Sequence, residues 1–365
     1  MVVTRSRAKA KAELIHTYTS TKSTTPRRPA SQAQSLGVQF RNLQLEKSAL
    51  EAKYNGYIRK QQEASFKQMQ NPQWLPVEET KIMSNLDRLK RDMRRWARKS
   101  SIKDISMLQS LKEVESEALM RQLSNVIVLE NGQLPKVLYT TTKSPILLLN
   151  ALLTDHVYMS FFRSPFFFDG VNFEDSSAYG QPNGALEGIY QRVKSVNPQD
   201  AHVWRSQTLR LLMPPLRDNM SDGEKKLHHI MNEAIGRVAQ EQAGVFLAGP
   251  ASFLVENSTE SDVVHQLKNI YDEAVRQSYM LWTRRTEMRC STLRDIQLPG
   301  FDAESLFFDP DNFVRHENHE DQMKNRAVTV LVHPMLKVAG TDEAKNYDQE
   351  RVWVKGVVWL DSKVT

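Results

Sequence analysis

Residues 301–325 hold Asp302, Glu304, Asp309, Asp311, Glu317, Glu320 and Asp321 against Arg315 and Lys324, with His316 and His319 three positions apart. Imidazoles and carboxylates at this density could ligate a metal. The His-Glu-x-x-His order that would set two imidazoles and a general base on one helix face is missing, however, and charge runs of this kind are usually solvated faces. A solvated acidic loop is therefore expected, with no metal and no cofactor. His228 and His229 are adjacent, which on a helix turns their rings about 100° apart and keeps them from gripping one ion. Asp155-His156 sits inside an apolar run, where a carboxylate needs a partner to be buried. A structural hydrogen bond is the expectation there, and catalysis the alternative. Cys290 is the single cysteine, so no intramolecular disulfide and no multi-cysteine zinc site can form, and a reducing compartment fits. Alone and without a recognisable base it is a weak nucleophile.

The large motif-bearing enzyme classes lack their markers. There is no phosphate loop ending in Gly-Lys-Ser/Thr, no dinucleotide Gly-x-Gly-x-x-Gly and no Gly-x-Ser-x-Gly elbow. What the chain does carry is positive charge in two places. Residues 1–29 contain Arg5, Arg7, Lys9, Lys11, Lys22, Arg27 and Arg28 against Glu13 alone, which accounts for the whole net charge of +6. The second array is Arg88, Lys90, Arg91, Arg94, Arg95, Arg98 and Lys99, offset by Asp92. Such clusters attract nuclear import receptors, nucleic-acid phosphates or anionic lipid. Import is the leading expectation for Arg5, Arg7, Lys9, Lys11, Arg27, Arg28, Lys90, Arg91, Arg94, Arg95, Arg98 and Lys99. A solvated helix surface is the bland alternative for 88–99, and a mitochondrial presequence the alternative for the acid-poor N-terminus.

The elements that must position these groups read as follows. Residues 1–35 are rich in Ser, Thr, Lys and Arg, with almost no bulky apolar groups, and predict a disordered basic tail. Over 36–70, Leu36, Phe40, Leu43, Lys47, Leu50, Tyr54, Tyr57, Gln61 and Ala64 follow alternating steps of four and three, the seam of a coiled coil. Self-association through 36–64 and packing of one amphipathic helix on the same chain both satisfy that spacing. Pro72 and Pro76 end the segment. The next helix sets Ile82, Leu86, Leu89, Met93 and Trp96 on one stripe, which predicts that its cations face outward. Ser101 with Asp104 predicts a capped start for a further helix carrying Ile105 to Leu123.

Val126 to Leu129 and Val137 to Tyr139 predict a short hairpin around Asn131-Gly132. Ser144-Pro145 predicts the N-cap and first residue of an apolar helix running to about Arg163; Asn150, Asp155, His156 and Arg163 interrupt it too often for a membrane span, so a buried core helix is expected. Phe166, Phe167 and Phe168 belong in the core. Helices are predicted at 186–196, 201–213, 221–240 and 261–283, the third opening on the capping box Ser221/Glu224. At the end, Ala327 to Val332 and Arg351 to Leu360 predict a β-hairpin around the polar loop 340–349, its second strand apolar on both faces.

Trp96-Ala97-Arg98-Lys99, the run Lys143-Ser144-Pro145 into Ile146 to Leu153, the turn Ser164-Pro165-Phe166-Phe167-Phe168, and Asn346-Tyr347-Asp348 ahead of Val352-Trp353-Val354-Lys355 have a further bearing. Through them, over residues 80–365, the chain resembles a group of uncharacterised helical proteins of filamentous fungi. That resemblance implies an ascomycete origin and a helical fold without an established activity. A fainter resemblance is to the fungal hypoxia-responsive colony-morphology factors, which would imply a nuclear role in hyphal surface form, and it is carried by no diagnostic motif.

The expectation is a mainly α protein in three parts: a basic tail 1–35, a coiled-coil-like helix 36–70, and a helical globular domain 80–365 with a C-terminal hairpin. Its expected function is that of a non-enzymatic nuclear or regulatory interaction protein with protein partners. The alternatives are an enzyme of unfamiliar type at Asp155-His156 and a nucleic-acid binder using the basic helix 88–99. The cytoplasm is the alternative location.

Overall fold

The computed structural model describes residues 41–54, 56, 76–169, 184–218, 220–296, 300–317 and 323–360. The chain divides into two units, Met1–Pro72 and Gln73–Thr365. In the first, residues 41–54 form a helix, α1, whose side chains are all exposed. The tail 1–35 and the other seam positions, Leu36, Phe40, Tyr57, Gln61 and Ala64, lie outside the described residues.

The second unit is mainly α with a small β component. Its helices are α2 (Glu79–Ser100), α3 (Glu113–Leu123), α4 (Lys136–Thr140), α5 (Ser144–Val157), α6 (Ala185–Val196), α7 (Pro198–Leu212), α8 (Asp222–Ala248), α9 (Ser261–Trp282) and α10 (Asn312–Glu317). The strands are β1 (Glu287–Ser291), β2 (Phe308–Pro310), β3 (Val328–His333), β4 (Met335–Ala339), β5 (Glu350–Val354) and β6 (Gly356–Leu360).

A helix that is apolar all round must be enclosed on all sides, and α5 is. Leu148, Leu149, Ala151, Leu153 and Val157 are fully buried. The run from Ser144 through Phe162 is long and apolar enough to cross a membrane by length and composition, but 72% of it is buried inside the protein. It is a core helix here. α2 and β3 pack against it, and the Thr154 hydroxyl donates to the Val332 carbonyl at 2.7 Å, tying helix to strand. Beyond Val157 the backbone widens into a π turn, Tyr158–Phe162, a rare geometry that accommodates one extra residue and often marks functional sites. Phe166 and Phe168 are buried as expected, and α8 and α9 pack as a pair.

The C-terminal hairpin is present but broken in both arms. Pro334, which has no amide to donate, separates β3 from β4, and Lys355 separates β5 from β6. Each half recruits a third strand, giving the sheets β1-β4-β5, all antiparallel, and β2-β6-β3, in which β2 runs parallel to β6. All five residues of β6 are buried, which its two-faced apolar pattern demands.

Three local expectations are corrected. Val126 to Leu129 does not pair with Val137 to Tyr139; it lies along β3, with Val128 N–H donating to Thr329 O and Leu331 N–H to Val126 O, and Pro135 starts helix α4 in place of the second arm. The cap proposed at Ser101 is at Asp104, whose carboxylate accepts from Ser106 N–H, and what it opens is a short 3₁₀ helix, Ile105–Ser110, ahead of α3. Ser144 is the first helical residue of α5, so Pro145 follows one place later than predicted. By contrast Ser221 and Glu224 form the expected capping box of α8.

Candidate functional site

The basic array on α2 is split by the fold. Met93 and Trp96 are buried, and the Trp96 indole N–H donates to Val263 O at 3.0 Å. Helical geometry then turns Arg94 and Lys90 toward the sheet instead of outward, correcting the expectation for both. Arg94 grips both carboxylate oxygens of the fully buried Asp311, at 2.5 and 3.0 Å, with the Phe313 ring 4.8 Å from its guanidinium. Burial lowers the Lys90 ammonium below the ordinary lysine range, against the opposing pull of Asp87 and Asp309. Of the outward-facing cations, Arg88 pairs with Glu273 at 2.7 Å and Arg95 with Asp92 at 2.8 Å. Arg91, Arg98 and Lys99 are also exposed. Arg5, Arg7, Lys9, Lys11, Arg27 and Arg28 lie outside the described residues.

The acidic segment is likewise not one solvated loop. Asp311 is interior because Arg94 neutralises it and the Phe313 amide donates to it at 2.9 Å, and Asp309 reaches Lys355 at 3.4 Å. His319, Glu320 and Asp321 are outside the described residues, and among the described ones no group of three metal-ligating side chains assembles.

Asp155 and His156 both line one cleft but differ in their partners. His156 shares a hydrogen bond with the Tyr271 hydroxyl at 2.7 Å and lies against the Phe246 and Tyr271 rings. Burial depresses its imidazole to about 4, so the ring is uncharged at neutral pH. The structural hydrogen bond expected for this pair thus belongs to His156. Asp155 makes no hydrogen bond or ion pair among the described residues, and it lines a cleft of ≈ 370 Å³ between α3, the π turn and the loop after β1. Burial lifts its carboxyl to about 6, a rise that Arg294 and Arg163 oppose.

Both arginines line the same cleft with Asp155. Arg294 donates to Asn125 Oδ1 at 2.8 Å, and Arg163 reaches only the Met159 sulfur at 3.9 Å. Neither guanidinium has a carboxylate within ion-pair distance among the described residues. Gln122, at the end of α3, presents to this region a buried Oε1 that accepts no hydrogen bond. Arg163 and Asp155 were legible as charges interrupting an apolar run; Arg294 and Gln122, distant in sequence, carried no signal.

Cys290 packs on the edge of the core beside this cleft. Burial, reinforced by the charges of Asp155 and Asp295, pushes its thiol above the ordinary range, the opposite of nucleophile activation. A second polar cluster was invisible in the sequence. His202 is fully buried, bonded to the Tyr190 hydroxyl at 2.9 Å, with its other nitrogen 3.8 Å from Glu287. Burial and Arg205 hold this imidazole down at about 3. Burial alone would raise Glu287, but hydrogen bonds from Arg289 and Lys194 overcome it and bring the carboxyl to about 2. The fully buried Arg205 donates to the carbonyls of Arg284 and Thr286, clamping α7 to the start of β1. Lys194 and Arg289 pair with Glu287, while Arg205 is met by carbonyls and the Tyr190 hydroxyl, so the cluster ties three elements together as a structural clamp. His228 and His229 diverge as expected, the first bonded to Pro214 O at 2.7 Å and the second paired with Glu233 at 3.2 Å.

Set against protein-family models, curated proteins and solved structures, the chain matches none of them.

Proposed function

We propose that this is a non-enzymatic nuclear or regulatory interaction protein of a filamentous fungus, and that it associates with a second copy of itself through α1. The observation that supports this is the face formed by Leu43, Leu50 and Tyr54, exposed at 64%, 70% and 66%. Helical geometry gathers these positions into one stripe about 40° wide, with the exposed Leu45 on the opposite side of the helix. A second copy supplies an identical stripe, so the same spacing serves both sides of the seam. Lys47 falls in the stripe and pairs with Glu51 at 3.7 Å, and a polar group at such a position sets register at some cost in stability. Light scattering of the full chain tests this: a dimer is expected, and Leu43→Glu with Leu50→Glu converts it to a monomer of unchanged helicity. A wild-type chain that is monomeric up to 100-fold dilution from millimolar stock removes the reading.

The nuclear part rests on charge. The seven Lys and Arg of residues 1–29, together with exposed Arg91, Arg95, Arg98 and Lys99, are the cations available to an import receptor's carboxylates. Replacing Arg5, Arg7, Lys9, Lys11, Arg27 and Arg28 with alanine shifts a fluorescent fusion from nucleus to cytoplasm. An unmodified fusion that collects in mitochondria, or stays out of nuclei, sinks this part. Nucleic-acid binding by 88–99 has less support, because Lys90 and Arg94 face inward and Trp96 offers no ring for a base to stack on.

A further inference from the structure

We propose that the Asp155 cleft binds a small zwitterion of the amino-acid class, its ammonium group held by Asp155 and Gln122 and its carboxylate by Arg163 and Arg294. This inference is independent of the self-association reading, since it concerns different residues in the other unit of the chain.

The argument is an inventory of unmet polar capacity on the walls of one cavity. On the acceptor side, the Asp155 carboxylate takes no hydrogen bond among the described residues, and the buried Gln122 Oε1 takes none either. The buried Gln122 Oε1 left unpaired costs about 1–3 kcal/mol, and the half-buried Asp155 carboxylate beside it opens onto the cleft, so one donor entering there serves both. An ammonium carries three N–H donors and a positive charge, which matches a carboxylate and an amide oxygen together better than a hydroxyl does.

On the donor side, Arg163 and Arg294 bring two guanidinium groups to the same cleft, and neither meets a carboxylate within ion-pair distance. What sets the two apart is their place: both line the one cleft that also holds the unpaired Asp155 carboxylate. Guanidinium is a planar fork suited to a carboxylate. Although both arginines act electrostatically on Asp155, no ion pair closes between them and it, so opposite charges are held apart across an open space. A ligand bearing both signs of charge fills that gap and satisfies both ends. A volume of ≈ 370 Å³ lies within the range for small-molecule pockets and takes an amino acid with a modest side chain.

The local fold supports the same assignment. Asp155 and Arg163 bracket the π turn Tyr158–Phe162, whose widened backbone alters the rotation between the helix before it and the residues after it. The turn is fixed from beneath by Ser278 and Trp282, which both donate to the Phe161 carbonyl, at 2.6 and 3.0 Å. That support presents Asp155 and Arg163 from a rigid element, as a preformed binding site requires.

Isothermal titration of the full chain with each of the twenty protein amino acids at millimolar concentration tests the proposal, with inorganic phosphate as a probe for a plain anion site. At least one amino acid is expected to bind, and its N-acetyl and carboxamide derivatives, which each lack one charge, to bind tenfold or more weakly. Asp155→Asn and Arg294→Gln are each expected to weaken binding tenfold or more while the thermal midpoint shows the variant folded; Arg294 is exposed, so its replacement leaves the core intact. The proposal is overturned if no amino acid binds, if phosphate binds as tightly as the best amino acid, or if affinity survives both substitutions.

Discussion

At the scale of single residues, the pairing of Arg94 with Asp311 shows how burial rewrites the meaning of a charge. Both belong to runs that look like solvated surface, one basic and one acidic, and 217 positions separate them. The fold encloses Asp311 completely and leaves the Arg94 side chain 19% exposed, so each is the other's main source of neutralisation. Removing one member of such a pair strands a buried charge, at a cost of about 3 kcal/mol or more. Arg94→Met is therefore expected to lower the unfolding free energy by about 3 kcal/mol. Arg98→Ala, one turn further along the same helix and exposed near its end, changes it by less than about 0.5 kcal/mol. Urea denaturation of both variants checks the contrast, and equal effects would show that Arg94 is surface charge after all. The types of these residues were plain in the sequence, but their partner was not, because no local pattern encodes a contact between the middle of a helix and the single residue joining β2 to α10. The same holds at the cleft. Asp155 stood out as a charge in an apolar run, whereas Gln122 and Arg294 come from separate elements that meet only in the folded chain.

Elements were legible where one physical rule acted alone. α8 and α9 show an unbroken apolar stripe, and the capping box Ser221/Glu224 announces the start of α8, so their existence and first turns follow from local chemistry. The far end of α8 did not follow, since the helix continues to Ala248 through Ala243 and Phe246, buried residues that extend the stripe past the predicted stop near Gln240. Extended segments were harder, because a strand is completed by its neighbours. Val126 to Leu129 has the composition of a strand and does adopt an extended path, but its partner is β3 and not the nearby run after Asn131-Gly132. Likewise Arg351 to Leu360 reads as one ten-residue strand, and it becomes two because its partner arm is interrupted at Pro334, where no amide is present to continue the ladder. β1 and β2 escaped the sequence altogether: each is too short, at five and three residues, for its polar–apolar alternation to stand out from the surrounding chain.

At the scale of the whole molecule, the buried imidazoles tie stability to pH. His156 on α5, His202 on α7 and His333 on β3 lie in three different parts of the second unit, and all are held uncharged: burial brings them to about 4, 3 and 3, with Arg205 adding to the effect at His202 and Lys90 at His333. In the unfolded chain each titrates near its ordinary value of about 6.5. A group with a depressed folded pKa of this kind takes up its proton first in the unfolded state. Stability is then fully present above about pH 6.5 and falls as pH drops toward the folded values. At pH 5 the loss is about 2 kcal/mol for each imidazole, on the order of 6 kcal/mol for the three together. Asp155 works the other way. Its carboxyl is raised to about 6 by burial against the pull of Arg294 and Arg163, so the folded state binds a proton before the unfolded state does, and acidification to pH 5 returns about 1 kcal/mol. The histidines outweigh it, and the balance is comparable with the entire stability of an ordinary domain, about 5–15 kcal/mol. The urea midpoint is therefore expected to fall steeply between pH 7 and pH 5, well before ordinary carboxylates titrate, with helicity lost near the lower limit. A midpoint that stays level across that interval would mean that the three imidazoles reach water or a proton acceptor in the folded state, and that the interior around α5, α7 and β3 is more open than its packing implies.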